Sequence, residues 1–219
     1  MRRIVVLSIS AVVVGALVVQ MQVPGLAVAP GSAGSIEPGW MRRTTGGTHV
    51  AVHDQYFSPT TVPVPRGGTV VFDFVGEGHH TATDDSGLDL YDSGLVDGGG
   101  PSLSVDFPAA GAYRFTCAPH PSMGGRVEVP VRVSPRKGDL GERFTVTWAS
   151  IPPPEGLVQD VQIRRPGGTW KIWRDGVAGT SRVFRADAGA GVYRFRARLR
   201  DGARNAAFWS PEATASVTR

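Results

Sequence analysis

The sequence predicts an all-β chain folded as two β-sandwiches, and three observations predict it. Glycine and proline are abundant, 29 and 17 of 219 residues, and long apolar patterns of helical period are few. Short alternating segments recur along the chain, separated by turn residues. The charge is split: residues 40–134 carry six Lys and Arg against ten Asp and Glu, a net of −4. Residues 135–219 carry fifteen against eight, a net of +7. An acidic half followed by a basic half suits two domains with different surfaces.

Taken in order, Met1-Arg2-Arg3 precedes an almost unbroken apolar run from Ile4 to Val19, with Pro24 and small residues after it. Residues 1–29 therefore read as an export signal peptide, or as an N-terminal anchor if uncleaved. The run is a little short of the roughly 20 residues that a spanning helix needs. Residues 30–47 are rich in Gly, Ser and Pro and read as a linker. The first sandwich is expected over 48–134. Its strands are Thr48–His53, the segment Phe57–Val64, Gly67–Phe74, Leu103–Phe107 and Ala112–Cys117. Pro63 and Pro65 belong on an edge or a bend, because proline cannot donate to a ladder. Gly124-Gly125 is expected to break the chain, with a further strand from Arg126 to Val133.

Between the last two strands lies Cys117-Ala-Pro-His120-Pro-Ser-Met123. It holds the single cysteine of the chain, one of five histidines and one of four methionines. A lone cysteine excludes an internal disulfide framework and, in an exported chain, points to an intermolecular bond, a reactive thiol or a metal ligand. Cys-x-x-His-x-x-Met gathers a thiolate, an imidazole and a thioether. Together with one more imidazole, this is the donor set of a blue-copper site, with a cysteine and two histidines in a plane and a weak axial methionine. Pro119 and Pro121 exclude a regular helix and stiffen the loop.

The run Tyr113–Val127 resembles the ligand loop of the cupredoxins, the blue copper proteins, and its Pro-His-Pro core is most similar to the amicyanin branch. The resemblance covers about residues 48–133 and includes the turn at Tyr91–Leu95. It implies a Greek-key sandwich that binds one copper ion and carries single electrons. Cys117, His120 and Met123 would be ligands, and the remaining histidine would sit in the His-Thr step of Gly78-His79-His80-Thr81. His80 lines up with that ligand, with His79 as its rival. The chain departs from the family in three places: Phe74 and Val75 stand where many relatives carry an asparagine, Ser122 replaces an aromatic, and His79 replaces a proline.

Ser134–Gly138 reads as a short basic hinge into a second sandwich over 135–219. Its strands are Arg143–Trp148, Asp160–Arg164, Trp170–Trp173, Val183–Arg185 and Gly191–Leu199. Thr147-Trp148, Tyr193-x-Phe195-x-Ala197 and Trp209-Ser210-Pro211 look like a fibronectin type III domain, in which Tyr193 would be the tyrosine-corner residue. Arg194, Arg196, Arg198 and Arg200 recur with period two and share one sheet face. They read as a solvated face or as a stripe for an acidic partner such as cell-wall polymer or a membrane surface.

These readings converge on an exported electron carrier, extracellular, cell-surface or periplasmic, and not an enzyme. A redox partner protein is expected and no nucleic acid. A cysteine hydrolase would need an orienting Asn or Asp and an oxyanion hole, for which no motif is present. Zinc accepts Cys and His but is poorly served by methionine. Multicopper enzymes of related fold need further clusters such as His-x-His, which the sequence lacks. Two alternatives stay open: a copper-buffering protein without a redox partner, and a surface adhesion module with a structural metal.

Overall fold

The computed structural model describes residues 46–202 and 205–219, and all of them fall in one compact unit. The expected signal and most of the linker lie outside the described residues. Among the described residues every regular element is a strand, as the glycine and proline content predicts. None of them forms a helix long and apolar enough to cross a membrane.

Eight strands build the first sandwich: β1 Thr48–Val52, β2 Phe57–Ser58, β3 Thr61–Pro63, β4 Gly68–Phe74, β5 Thr83–Asp84, β6 Leu103–Phe107, β7 Gly111–Cys117 and β8 His120–Val129. One sheet has the order β2-β1-β4-β6 and the other β3-β8-β7-β5. Pro63 lies on β3, an edge strand of the second sheet, as a residue without a donor should. In β7 the residues Tyr113, Phe115 and Cys117 alternate onto the buried face. The core beneath is aromatic. Phe115 meets Phe57 at 4.9 Å and Phe72 at 5.1 Å, both edge to face, a geometry that adds to simple burial. The alternation that sends Phe115 into this core also delivers Cys117 to its upper end.

Gly124-Gly125 does not break the chain: β8 runs through both glycines, paired with Thr116 and Phe115 of β7. The glycines are there for close approach. A Cβ on Gly125 would lie 2.4 Å from the Phe115 ring and 2.6 Å from the Thr60 carbonyl oxygen. The strand instead ends before Pro130.

The second sandwich comprises β9 Arg132–Ser134, β10 Lys137–Asp139, β11 Phe144–Thr147, β12 Leu157–Arg164, β13 Trp170–Val177, β14 Ser181–Phe184, β15 Gly191–Asp201 and β16 Ala213–Thr218. Its sheets have the orders β14-β11-β9 and β10-β16-β15-β12-β13. Residues 134–138, read as a hinge, carry strand ends on both sides. β9 pairs with β11, and β10 runs parallel to β16. The reason is visible in Val131 and Val133, which alternate with polar neighbours and are buried. The join is further closed by backbone bonds from Ala110 N to Trp148 O (2.6 Å) and Ser150 N to Pro108 O (2.8 Å). Ala112 and Phe208 exchange two more of 2.9 Å each. One hydrophobic cluster runs through both sandwiches.

Along β15, Tyr193, Phe195, Ala197 and Leu199 are wholly buried, so the four alternating arginines do share the opposite face. They are not simply solvated. Trp170 is covered by Arg164 at 5.2 Å and Arg196 at 4.3 Å, and Trp209 by Arg196 at 5.0 Å and Arg198 at 4.6 Å. Arg198 and Arg200 also bond Asp160, whose side chain is only 4% exposed. Burial pushes the Asp160 carboxyl up, but the Arg200 hydrogen bond, the Gly176 amide and the charge of Arg200 together hold it below its usual range.

A carboxyl lowered by folding stabilises the native state above its unfolded pKa, about 3.9, and loses that effect as pH falls through the native value. Asp160→Ala leaves Arg198 without its carboxylate and Arg200 with only the exposed Asp175. It should cost roughly 3 kcal/mol near neutral pH, at the lower end for a broken buried pair because the arginines are partly exposed. The loss should shrink in acid below the native pKa. Urea unfolding of both proteins across pH measures this, and an equal gap at every pH would contradict it.

Candidate metal centre

Strand β7 ends at Cys117, and the chain turns so tightly that His120 on β8 faces it across the hairpin. The register shifts between Thr116 and Cys117, because Thr116 pairs with Gly124. The three residues Pro121–Met123 thus stand as extra chain on the β8 side, a bulge of the kind that re-aims side chains. Pro121 opens the bulge and Pro119 lies in the turn before it. Met123 is 1% exposed, and its carbonyl accepts a hydrogen bond from the Thr116 hydroxyl at 3.1 Å.

His80 comes from the segment beyond β4. It is fixed by a two-bond bridge with Val96, His80 N to Val96 O and Val96 N to His80 O, each 2.9 Å. Its side chain is 1% exposed. The structure brings His80, Cys117 and His120 together, with one ligand atom from each within 4.8 Å of the others. Cys117 Sγ lies 3.7 Å from His80 Nδ1 and 3.5 Å from His120 Nδ1. The two imidazole centroids are 4.9 Å apart. Cys117 is buried and His120 half-buried, so the site is closed below and open along one histidine edge.

His79, the rival, turns away and pairs with Asp97 at 2.5 Å on the surface. His49 pairs with Asp73 and His53 stacks on Tyr56, so neither joins the cluster. An open depression of about 380 Å³ above the site is lined by Asp54, Glu77, His79, His80, Pro119 and His120, among others.

Two groups beside the ligands were not foreseen. Thr81 donates its backbone N–H to Cys117 Sγ at 3.3 Å, and its Oγ1 accepts the Ala118 N–H at 2.8 Å. Its hydroxyl oxygen is 2.8 Å from that of Thr83, which donates to Asp92 Oδ1 at 2.9 Å. The support expected from an asparagine near Phe74 and Val75 therefore comes from the residue after His80. Phe74 is a core residue and Val75 is exposed. The sequence signal was the threonine directly after the histidine. The second group is Asp54. Its Oδ1 accepts the Gly78 N–H at 2.9 Å and lies 3.2 Å from His80 Nε2. The Gly78 amide, and then the His80 ring, hold its carboxyl below the usual range. No short-range pattern announces it, since 26 residues separate it from His80.

This donor set fits copper. A buried sulfur with a backbone N–H aimed at it, two imidazole Nδ1 atoms facing it, and a buried thioether close by match soft and borderline ligation. Residues 45–132 match the family of copper binding proteins described as plastocyanin/azurin. The match and the His–Cys–His cluster together support one copper ion.

Solved structures of cupredoxins are similar to part of the chain. A purple cupredoxin from Nitrosopumilus maritimus is 21% identical, with 37% of this chain and 98% of that one covered, at a TM-score of 0.35. Plastocyanin from Dryopteris crassirhizoma is 29% identical, covering 37% and 99%, at 0.34. An oxidized amicyanin variant is 23% identical, covering 40% and 85%, also at 0.34. No curated protein matches the chain.

Thr81→Val removes the acceptor of the Ala118 amide and should destabilise the protein by about 1–2 kcal/mol. It should also speed the loss of copper, because the turn after Cys117 loses its tie to His80. Thr81→Ser keeps the hydroxyl and should stay near wild type. Urea midpoints and the rate of copper transfer to a chelator test both. Equal behaviour of the valine and serine variants would contradict the role of the hydroxyl.

Proposed function

We propose that this chain is an exported type 1 copper protein that carries single electrons. The observation that carries the reading is the buried Cys117 Sγ with two imidazole Nδ1 atoms at 3.5 and 3.7 Å. His80, His120 and Cys117 would hold the ion, with Met123 as a weak fourth donor. A bound copper ion supplies a one-electron couple between Cu(I) and Cu(II). The protein's part is to hold its ligands still while the charge changes. Bridge, hairpin and prolines serve that end. His120 is the ligand with an edge toward solvent and is the proposed contact point for the electron. The rim beside it carries Asp54 and Glu77, so a redox partner with a basic surface fits best.

Within this reading the second sandwich is a fibronectin type III-like module. Support comes from its two-sheet order and from Tyr193, whose hydroxyl donates to Gly189 O and accepts from Ala188 N, both at 2.8 Å. The export route rests on the apolar run in residues 1–29.

Voltammetry of the copper-loaded protein should give a reversible one-electron wave. Met123→Leu should keep the copper and raise the potential, because a weak donor that favours Cu(II) is lost. An unchanged potential would count against Met123 as the fourth donor. His120→Ala should preserve the fold and slow electron exchange with small redox mediators. Unchanged exchange would remove His120 as the port, and the absence of any wave would leave copper storage as the better reading.

A further inference from the structure

We infer that Asp54 is a positioning residue for the metal centre: its carboxylate fixes the His80 ring with Nε2 outward and Nδ1 toward Cys117. The inference rests on the copper reading for its consequence, though not for its geometry.

The chain brings Asp54 to this place through sheet topology. β1 and β4 are parallel neighbours, with Val52 opposite Phe74, so both strands finish at the same end of the sheet. The segment after β4 is tied to the end of β1 by Val75 N and Gly76 N, which both donate to Val52 O at 3.0 and 2.9 Å. Asp54, two residues beyond β1, therefore lies beside the segment that leads into His80. One oxygen, Oδ1, meets both Gly78 N and His80 Nε2.

The two glycines of that segment keep the approach clear. A Cβ at position 76 would lie 2.5 Å from Asp54 Oδ1. One at position 78 would lie 3.3 Å from His80 Nε2 and 3.4 Å from Asp54 Oδ1. Side chains at these places would press on the carboxylate or on the ring.

The chemistry follows from the ring. His80 is buried, so its second nitrogen needs a partner, and Asp54 supplies it. With the proton kept on Nε2, the Nδ1 lone pair faces the cluster without a search among tautomers. A carboxylate on the far nitrogen also makes the imidazole a stronger donor, which favours the more highly charged metal state. Asp54 is 51% exposed, so solvent weakens the charge effect more than it weakens the orientation.

The test uses the full chain, wild type against Asp54→Ala and Asp54→Asn. In the metal-free protein near pH 8, nitrogen NMR of the His80 ring should show the Nε2–H tautomer in wild type. It should show a mixture of tautomers in Asp54→Ala. Copper titration should show Cu(II) affinity about tenfold lower in Asp54→Ala, with Cu(I) affinity changed less and the potential therefore raised. Asp54→Asn keeps an acceptor and should hold the tautomer while still raising the potential. An Asp54→Ala protein with the wild-type tautomer and wild-type Cu(II) affinity would overturn the inference. The metal-free readout separates this outcome from failure of the copper reading, because it needs no copper.

Discussion

Two segments of chain meet on one sulfur, and the metal centre depends on that meeting. Thr81 lies next to His80, and its amide points at Cys117 while its hydroxyl takes the amide of Ala118. One residue thus ties the first histidine to the hairpin that carries the other proposed ligands. A buried sulfur of this kind is not solvated, and the Thr81 amide joins the two imidazoles as its partners. Without the tie, the turn after Cys117 would lose its side-chain hydrogen bond to the His80 segment.

The frame under the centre limits how far the ligands can move. Phe115, two residues before Cys117, is locked between Phe57 and Phe72, and close-packed interiors transmit displacement rather than absorb it. The opposite end of β7 is held as well, because Ala112 shares backbone bonds with Phe208. The strand that bears the cysteine is therefore gripped by the aromatic core in its middle and by the second sandwich near its start. Under the proposed electron-carrier reading such a frame helps, since reorganisation of the ligands is small when the scaffold is stiff.

Much of the fold was legible in the sequence because β-sandwiches write themselves as alternation. Tyr113-x-Phe115-x-Cys117 and Tyr193-x-Phe195-x-Ala197-x-Leu199 each gave both strand and buried face. The Cys-x-x-His-x-x-Met spacing was legible for a related reason: short hairpin geometry brings nearby residues together. Some features were not. Gly124-Gly125 reads as a break until the Phe115 ring shows why a strand there must lack side chains. The basic stretch 134–138 reads as a hinge because its charges are local, whereas the pairing of β9 and β10 with distant strands is not. The arginines of β15 read as solvated because nothing nearby in sequence announces Trp170, Trp209 or Asp160. Asp54 escapes for the same reason, since parallel pairing of β1 with β4 alone makes it a neighbour of His80.

If Cys117 is a thiolate ligand of copper in this cluster, one spectrum will show it. The purified protein is loaded with Cu(II) and its visible absorption recorded beside that of Cys117→Ser. Wild type should show an intense blue sulfur-to-copper charge-transfer band that disappears in the serine variant. A colourless copper-bound wild type, or a band that survives in Cys117→Ser, would contradict it.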